Sequence, residues 1–168
     1  MRRHIERALV IAITAGLLTL IGRIMFSPAD AADVTSYRKL VTLWYDAFDK
    51  NDPKLLDAVL SADWVDIPPA PNQPAGPPGA KQILTELRTA FPDLTITIAD
   101  VLQDANKVIV RSTISGTHKA TLMGFPAKNR KMTIQAIDIH EFRDGKIVRT
   151  WHTEDWLTGL HQIGVFDK

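Results

Sequence analysis

The stretch KMTIQAIDIHEFRDGKIVRTWHT, residues 131–153, reads as two β-strands and the turn that joins them. Successive strand side chains point to opposite faces. Ile134, Ala136, Asp138, His140 and Phe142 therefore share one face, against Gln135, Ile137, Ile139 and Glu141. Arg143-Asp144-Gly145-Lys146 supplies the turn, because Asp-Gly tolerates the backbone angles that a tight hairpin demands. Beyond it, Val148, Thr150 and His152 share a face against Ile147, Arg149, Trp151 and Thr153. The hairpin makes the two strands neighbours, so Asp138 and His152 fall close together on largely apolar faces. A buried polar group without a partner costs about 1–3 kcal/mol. A small molecule bound in a concave pocket is one reason to keep such groups. A carboxylate beside an imidazole also forms an acid/base pair tunable toward neutral pH.

Upstream, Val108 to His118 is a further strand, with His118 in line with Val108, Val110, Ser112, Ile114 and Gly116. Leu94 to Ile98 alternates in the same way, and Asp104-Ala105-Asn106 is the turn between these two strands. Before them lie three helical patterns. Leu40, Val41, Trp44, Tyr45 and Phe48 make an apolar stripe over Val34 to Lys50. Pro53 opens a short second helix with Leu55, Leu56, Val59 and Leu60. Gly79 to Phe91 is the third, ended by Phe91-Pro92. Ala62 to Ile67 is a short strand or extended piece. The run Pro68 to Gly79, dense in Pro and Gly, is a loop, either a lid over a pocket or a surface connection. Glu154 to Gly164 closes the chain as a helical segment. Three helices followed by a four-stranded meander give an α+β fold, with the helices on one side of a curved antiparallel sheet. Such a sheet wraps into a cone with a cavity at its mouth.

The 168 residues fit one domain after an N-terminal leader. Arg2, Arg3 and Arg7 precede an apolar run from Ala8 to Gly22, and Ala29-Asp30-Ala31 offers a cleavage site. These are the parts of a secretory signal. The expectation is a signal peptide over residues 1–31, a domain over 32–168, and a periplasmic or extracellular location. An uncleaved inner-membrane anchor, with the apolar run extended through Arg23 to Phe26, is the alternative. Removing residues 1–31 takes four of the 20 basic and two of the 19 acidic residues, leaving a formal charge of −1. No strong field remains to attract nucleic acid or an anionic membrane. The chain has no cysteine. Disulfides, thiolate metal sites and a cysteine nucleophile are excluded.

His118, Asp138 and His152 are the candidate catalytic groups. Plainer readings exist: Asp138 as a satisfied structural carboxylate, His118 as a loop histidine, His140 and His161 as non-site histidines. Scattered strand positions give no metal-ligand spacing, so no metal is expected. Trp64 and Asp66 flank the Pro-rich loop and are candidate pocket walls. Phe48, Met123, Thr150 and Trp156 complete the candidate lining. There is no phosphate-binding glycine loop, no Gly-x-Ser-x-Gly elbow and no nucleotide fingerprint.

Further segments carry a resemblance. Phe91-Pro92-Asp93-Leu94, Gly116-Thr117-His118, Leu122-Met123-Gly124-Phe125-Pro126-Ala127 and Arg130-Lys131 occur in order. Ile137-Asp138-Ile139, Asp144-Gly145-Lys146-Ile147-Val148 and Leu160-His161-Gln162-Ile163-Gly164 follow. This series resembles the SnoaL-like polyketide cyclase (ester cyclase) family. The resemblance implies the cone-shaped α+β barrel shared with nuclear transport factor 2, ketosteroid isomerases and scytalone dehydratase. It implies an intramolecular aldol ring closure, or a related proton transfer, on a small apolar carbonyl compound, with no cofactor. It also implies homodimers, formed through the outer face of the sheet. In the family's cyclases an aspartate on the last strand is the acid/base. That position holds His152 here, a pocket position that is histidine in those cyclases holds Asp138, and the Gly-Thr-His histidine matches His118. The pair is expected to have exchanged roles, with Asp138 as base and His152 as its partner. A non-catalytic binder of an exported small molecule, using the same cavity, is the alternative.

Overall fold

The computed structural model of the chain describes residues 28–167, with side chains from residue 37. The expected signal segment lies outside the described residues, apart from the backbone of its last four. Among the described residues no helix is long and apolar enough to cross a membrane.

The elements run α1 (Pro28–Lys50), α2 (Lys54–Val59), β1 (Leu60–Ile67), α3 (Pro77–Ala90), β2 (Thr95–Asp104), β3 (Lys107–Thr117), β4 (Lys131–Arg143), β5 (Lys146–Glu154) and α4 (Trp156–Gln162). The sheet order is β1-β5-β4-β3-β2. β2 to β5 form the expected antiparallel meander. The extended piece before the Pro-rich loop is a fifth strand, paired in parallel with β5 through Val65↔Arg149, Asp66↔Thr150 and Ile67↔Trp151. Leu60 belongs to that strand, so the second helix stops at Val59. A β1–β5 pairing joins segments more than 80 residues apart, and no local pattern announces it.

Alternation holds along β3 and β4. Val108, Val110, Ser112 and Ile114 are buried, as are Met132, Ile134, Ala136, Asp138, His140 and Phe142. Tyr37, Val41, Tyr45, Ala47 and Phe48 are the buried residues of α1 among those described. Tyr37 stacks on Phe142 with ring centroids 4.6 Å apart. Asp144 and Gly145 both take positive φ, 51° and 73°, as a two-residue hairpin turn requires. Phe142 begins an irregularity in the β4–β5 register, which leaves Ile147 and Val148 both buried. At the far end of β4, α4 packs so tightly that a Cβ on Gly159 would sit 2.8 Å from the Met132 sulfur.

Candidate active site

The inner face of the sheet, α1 and α3 line an open cavity of about 80 Å³. Apolar and aromatic groups make most of its wall: Trp44 and Phe48 from α1, Trp64 from β1, Ala80, Ile83 and Leu87 from α3, and Ile96, Ile114 and Ala136 from the sheet. The polar groups that reach it are Tyr45, Asp66, Ser112, Asp138, His152 and Glu154.

Asp138 and His152 are directly opposite each other in the β4–β5 register, and both line the cavity. The shift in register between Glu141 and Phe142 brings them together, since an unbroken ladder from the Asp144-Gly145 turn would set Asp138 against Trp151. Their electrostatics differ. Burial pushes the Asp138 carboxyl up to about 6, against a hydrogen bond from Tyr45 that holds it down. Tyr45 Oη donates to Asp138 Oδ2 at 2.6 Å, while Oδ1 accepts no hydrogen bond from the described residues. Asp138 can thus exist as base or as acid near neutrality, as proton transfer in that range requires. Burial depresses His152, but hydrogen bonds and charge from Asp66 and Glu154 outweigh it and raise the imidazole to about 11. Its Nδ1 lies 2.9 Å from Glu154 Oε1, and its Nε2 is 3.0 Å from the Pro68 carbonyl and 3.3 Å from Asp66 Oδ1. The expectation of a His152 tunable toward neutral pH is corrected: it is a fixed imidazolium with both N–H groups engaged.

Trp64, Asp66 and Phe48 stand in the cavity wall. Parallel pairing of β1 with β5 brings Trp64 and Asp66 there. The other candidates lie elsewhere. His118 is fully buried behind Phe91, ring centroids 5.8 Å apart, with burial lowering its pKa. It keeps the buried parity of Val108, Val110, Ser112, Ile114 and Gly116, but it lies eight residues along from Val110, the partner of Asp138. Met123 is exposed at a turn where it takes positive φ, 50°. Thr150 is fully buried beneath the wall, where it accepts from Trp64 Nε1 at 3.0 Å. Trp156 lies outside the lining, on α4. The Pro-rich loop supplies no lining residue. It is tied to the wall, because Pro68 bonds His152 and Gln73 Nε2 donates to Asp66 Oδ2 at 2.9 Å.

Sequence reasoning assigned Tyr45 to the core and gave no role to Ser112 or Glu154. Tyr45 lies on the same helical stripe as Phe48, and its hydroxyl was the signal: a buried Tyr O–H needs a partner. His140 is fully buried and lowered to about 3 by burial and the nearby charge of His152, so it stays neutral. Among the described residues no group of three or more His, Cys, Asp or Glu side chains is arranged to hold a metal.

A family profile of SnoaL-like polyketide cyclases matches residues 38–163. The structure of TsrD from Streptomyces laurentii is 26% identical, with a TM-score of 0.74 over 79% of this chain and 97% of that one. A candidate polyketide cyclase from Bacillus cereus is 28% identical, with a TM-score of 0.71 over 80% and 84%. IdmH from Streptomyces antibioticus, also a candidate polyketide cyclase, is 28% identical, with a TM-score of 0.67 over 76% and 97%. No curated protein sequence matches the chain at a significant level.

Proposed function

Because this chain belongs to the SnoaL-like polyketide cyclase family, we propose that it is a cyclase- or isomerase-type enzyme using Asp138 as its acid/base on a small apolar carbonyl compound. The observation that carries this reading is a buried cavity carboxylate whose pKa is about 6 and whose Oδ1 takes no hydrogen bond from the described residues.

The steps balance on this one group. Asp138 takes a proton from the carbon beside a carbonyl of the guest, leaving an enolate. The enolate carbon attacks a second carbonyl of the same molecule, forming a carbon–carbon bond and an alkoxide. The Asp138 carboxylic acid then returns its proton to the alkoxide. In an isomerisation the proton returns to another carbon instead. His152 offers no free N–H, so its part is electrostatic: a fixed cation opposite Asp138 favours the enolate's negative charge. Trp44, Phe48, Ile83, Leu87, Ile96 and Ile114 suit an apolar guest. The same reading takes residues 1–31 as an export signal, a second copy of the chain as partner, and no organic cofactor.

The test begins with mass spectrometry of small molecules that copurify with the full-length protein. A retained carbonyl compound is then incubated with wild type and with Asp138→Asn. The expected result is turnover by wild type and a loss of about 10²–10⁴-fold in the variant. Equal turnover by both removes Asp138 as the base. A compound held by wild type but never converted favours the alternative, a small-molecule binder, which the engaged N–H groups of His152 would also suit.

A further inference from the structure

Beneath the cavity wall, five buried side chains from four elements form one hydrogen-bonded string. Trp64 Nε1 lies 3.0 Å from Thr150 Oγ1, which lies 3.0 Å from His140 Nδ1. His140 Nε2 lies 3.1 Å from Tyr45 Oη, which lies 2.6 Å from Asp138 Oδ2. The geometry points to Tyr45 as a positioning residue for Asp138, held by a one-way donor string from Trp64 through Thr150 and His140 that reserves Asp138 Oδ1 for the guest.

The chemistry of the two ends fixes the direction. An indole N–H can only donate, and an ionised carboxylate can only accept. Tyr45 has one proton. With Asp138 ionised, that proton goes to Oδ2, so the phenol oxygen accepts from His140 Nε2–H. His140 is neutral and has only one N–H, which leaves Nδ1 bare to accept from the Thr150 hydroxyl. The Thr150 oxygen then accepts from Trp64. Every donor in the string points toward the carboxylate, and each group has its partner. Reversing the string would give Thr150 Oγ1 two donors, Trp64 and His140, and would turn its own proton away from both. A proton arriving from a guest therefore goes to Oδ1 and leaves the string intact. The other titratable groups around Asp138 are Asp66 from β1 and His152 and Glu154 from β5. The lining residues of α3 are apolar.

The inference builds on Asp138 as the base, yet its test needs no substrate, so the two can fail separately. Long-range proton–nitrogen correlation spectra of the full-length protein, recorded above the Asp138 midpoint, give the His140 tautomer. Carbon-detected titration gives the Asp138 midpoint in wild type and in Tyr45→Phe, which keeps the ring. The expected result is an Nε2–H His140 in wild type, and an Asp138 midpoint about one pH unit higher in Tyr45→Phe. An Nδ1–H tautomer in wild type, or an Asp138 midpoint unmoved by Tyr45→Phe, overturns the assignment. A role for Tyr45 in packing alone would leave that midpoint where it is.

Discussion

Asp138 carries a cost as well as a chemistry. Its carboxyl is raised from 3.8 to about 6, chiefly by burial. A group whose folded pKa lies above its unfolded value binds its proton more tightly in the fold. The stability linked to that proton is complete below about pH 4 and is lost as the pH rises through 6. Above that point the buried charge disfavours the fold by about 3 kcal/mol relative to a neutral group. Asparagine keeps an acceptor for Tyr45 and has no charge to bury. Asp138→Asn is therefore expected to melt at a higher temperature than wild type at pH 8, with the gap narrowing toward pH 5. Calorimetry at the two pH values checks this, and a gap that does not change with pH would remove burial as the cause. A group that lowers stability where the protein works fits a site selected for chemistry rather than packing.

Among the elements, the junction of β1, the Pro-rich loop and α3 decides where the mouth of the cavity stands. Gly76 caps α3 at φ 69° and ψ −162°, a region nearly closed to other residues. A Cβ there would lie 2.7 Å from the Ala62 carbonyl of β1. Gly76 thus lets the loop press against the strand that carries Trp64 and Asp66. Gly76→Ala is expected to lower stability by about 1–3 kcal/mol. It should also loosen the ties from Pro68 and Gln73 to the wall. Urea unfolding measures the first effect, and amide exchange across residues 66–76 measures the second. A variant with wild-type midpoint and exchange would show that the close approach is not needed.

For the whole molecule, the outer face of the sheet is the feature without a partner among the described residues. Leu102↔Ile109, Ile109↔Ile139, Ile139↔Trp151 and Trp151↔Ile67 are successive register pairs, so one apolar row crosses all five strands. Leu102 is 62% exposed, and Ile137, next to the row, is 45% exposed. Lys107 and Arg149 lie over the Trp151 ring and partly cover it. This is where the homodimer implied by the family resemblance would form. Sedimentation is expected to show a dimer that Ile139→Lys shifts to monomer without loss of secondary structure. A wild-type monomer at every concentration would remove the dimer.

The alternation of residues 131–153 and the Asp144-Gly145 turn announce a hairpin with Asp138 and His152 on neighbouring strands, but not the register that sets them opposite each other. Both signals are local: a two-residue period and a turn that needs positive φ. The helical stripe of α1 and the ordered family segments likewise made the α+β class legible. Three further matters rested on the folded chain. The β1–β5 pairing depends on contacts between distant segments, so Trp64 and Asp66 could be suspected as walls but not placed. Parity gave His118 its buried side, but its place at the far end of β3, against Phe91 and away from the cavity, depends on how the helices pack on the sheet. The roles within the pair depend on neighbours in space. Tyr45 and burial set Asp138, while Asp66 and Glu154 fix His152 as a cation, because a pKa answers to the surrounding field and solvent rather than to position in the chain.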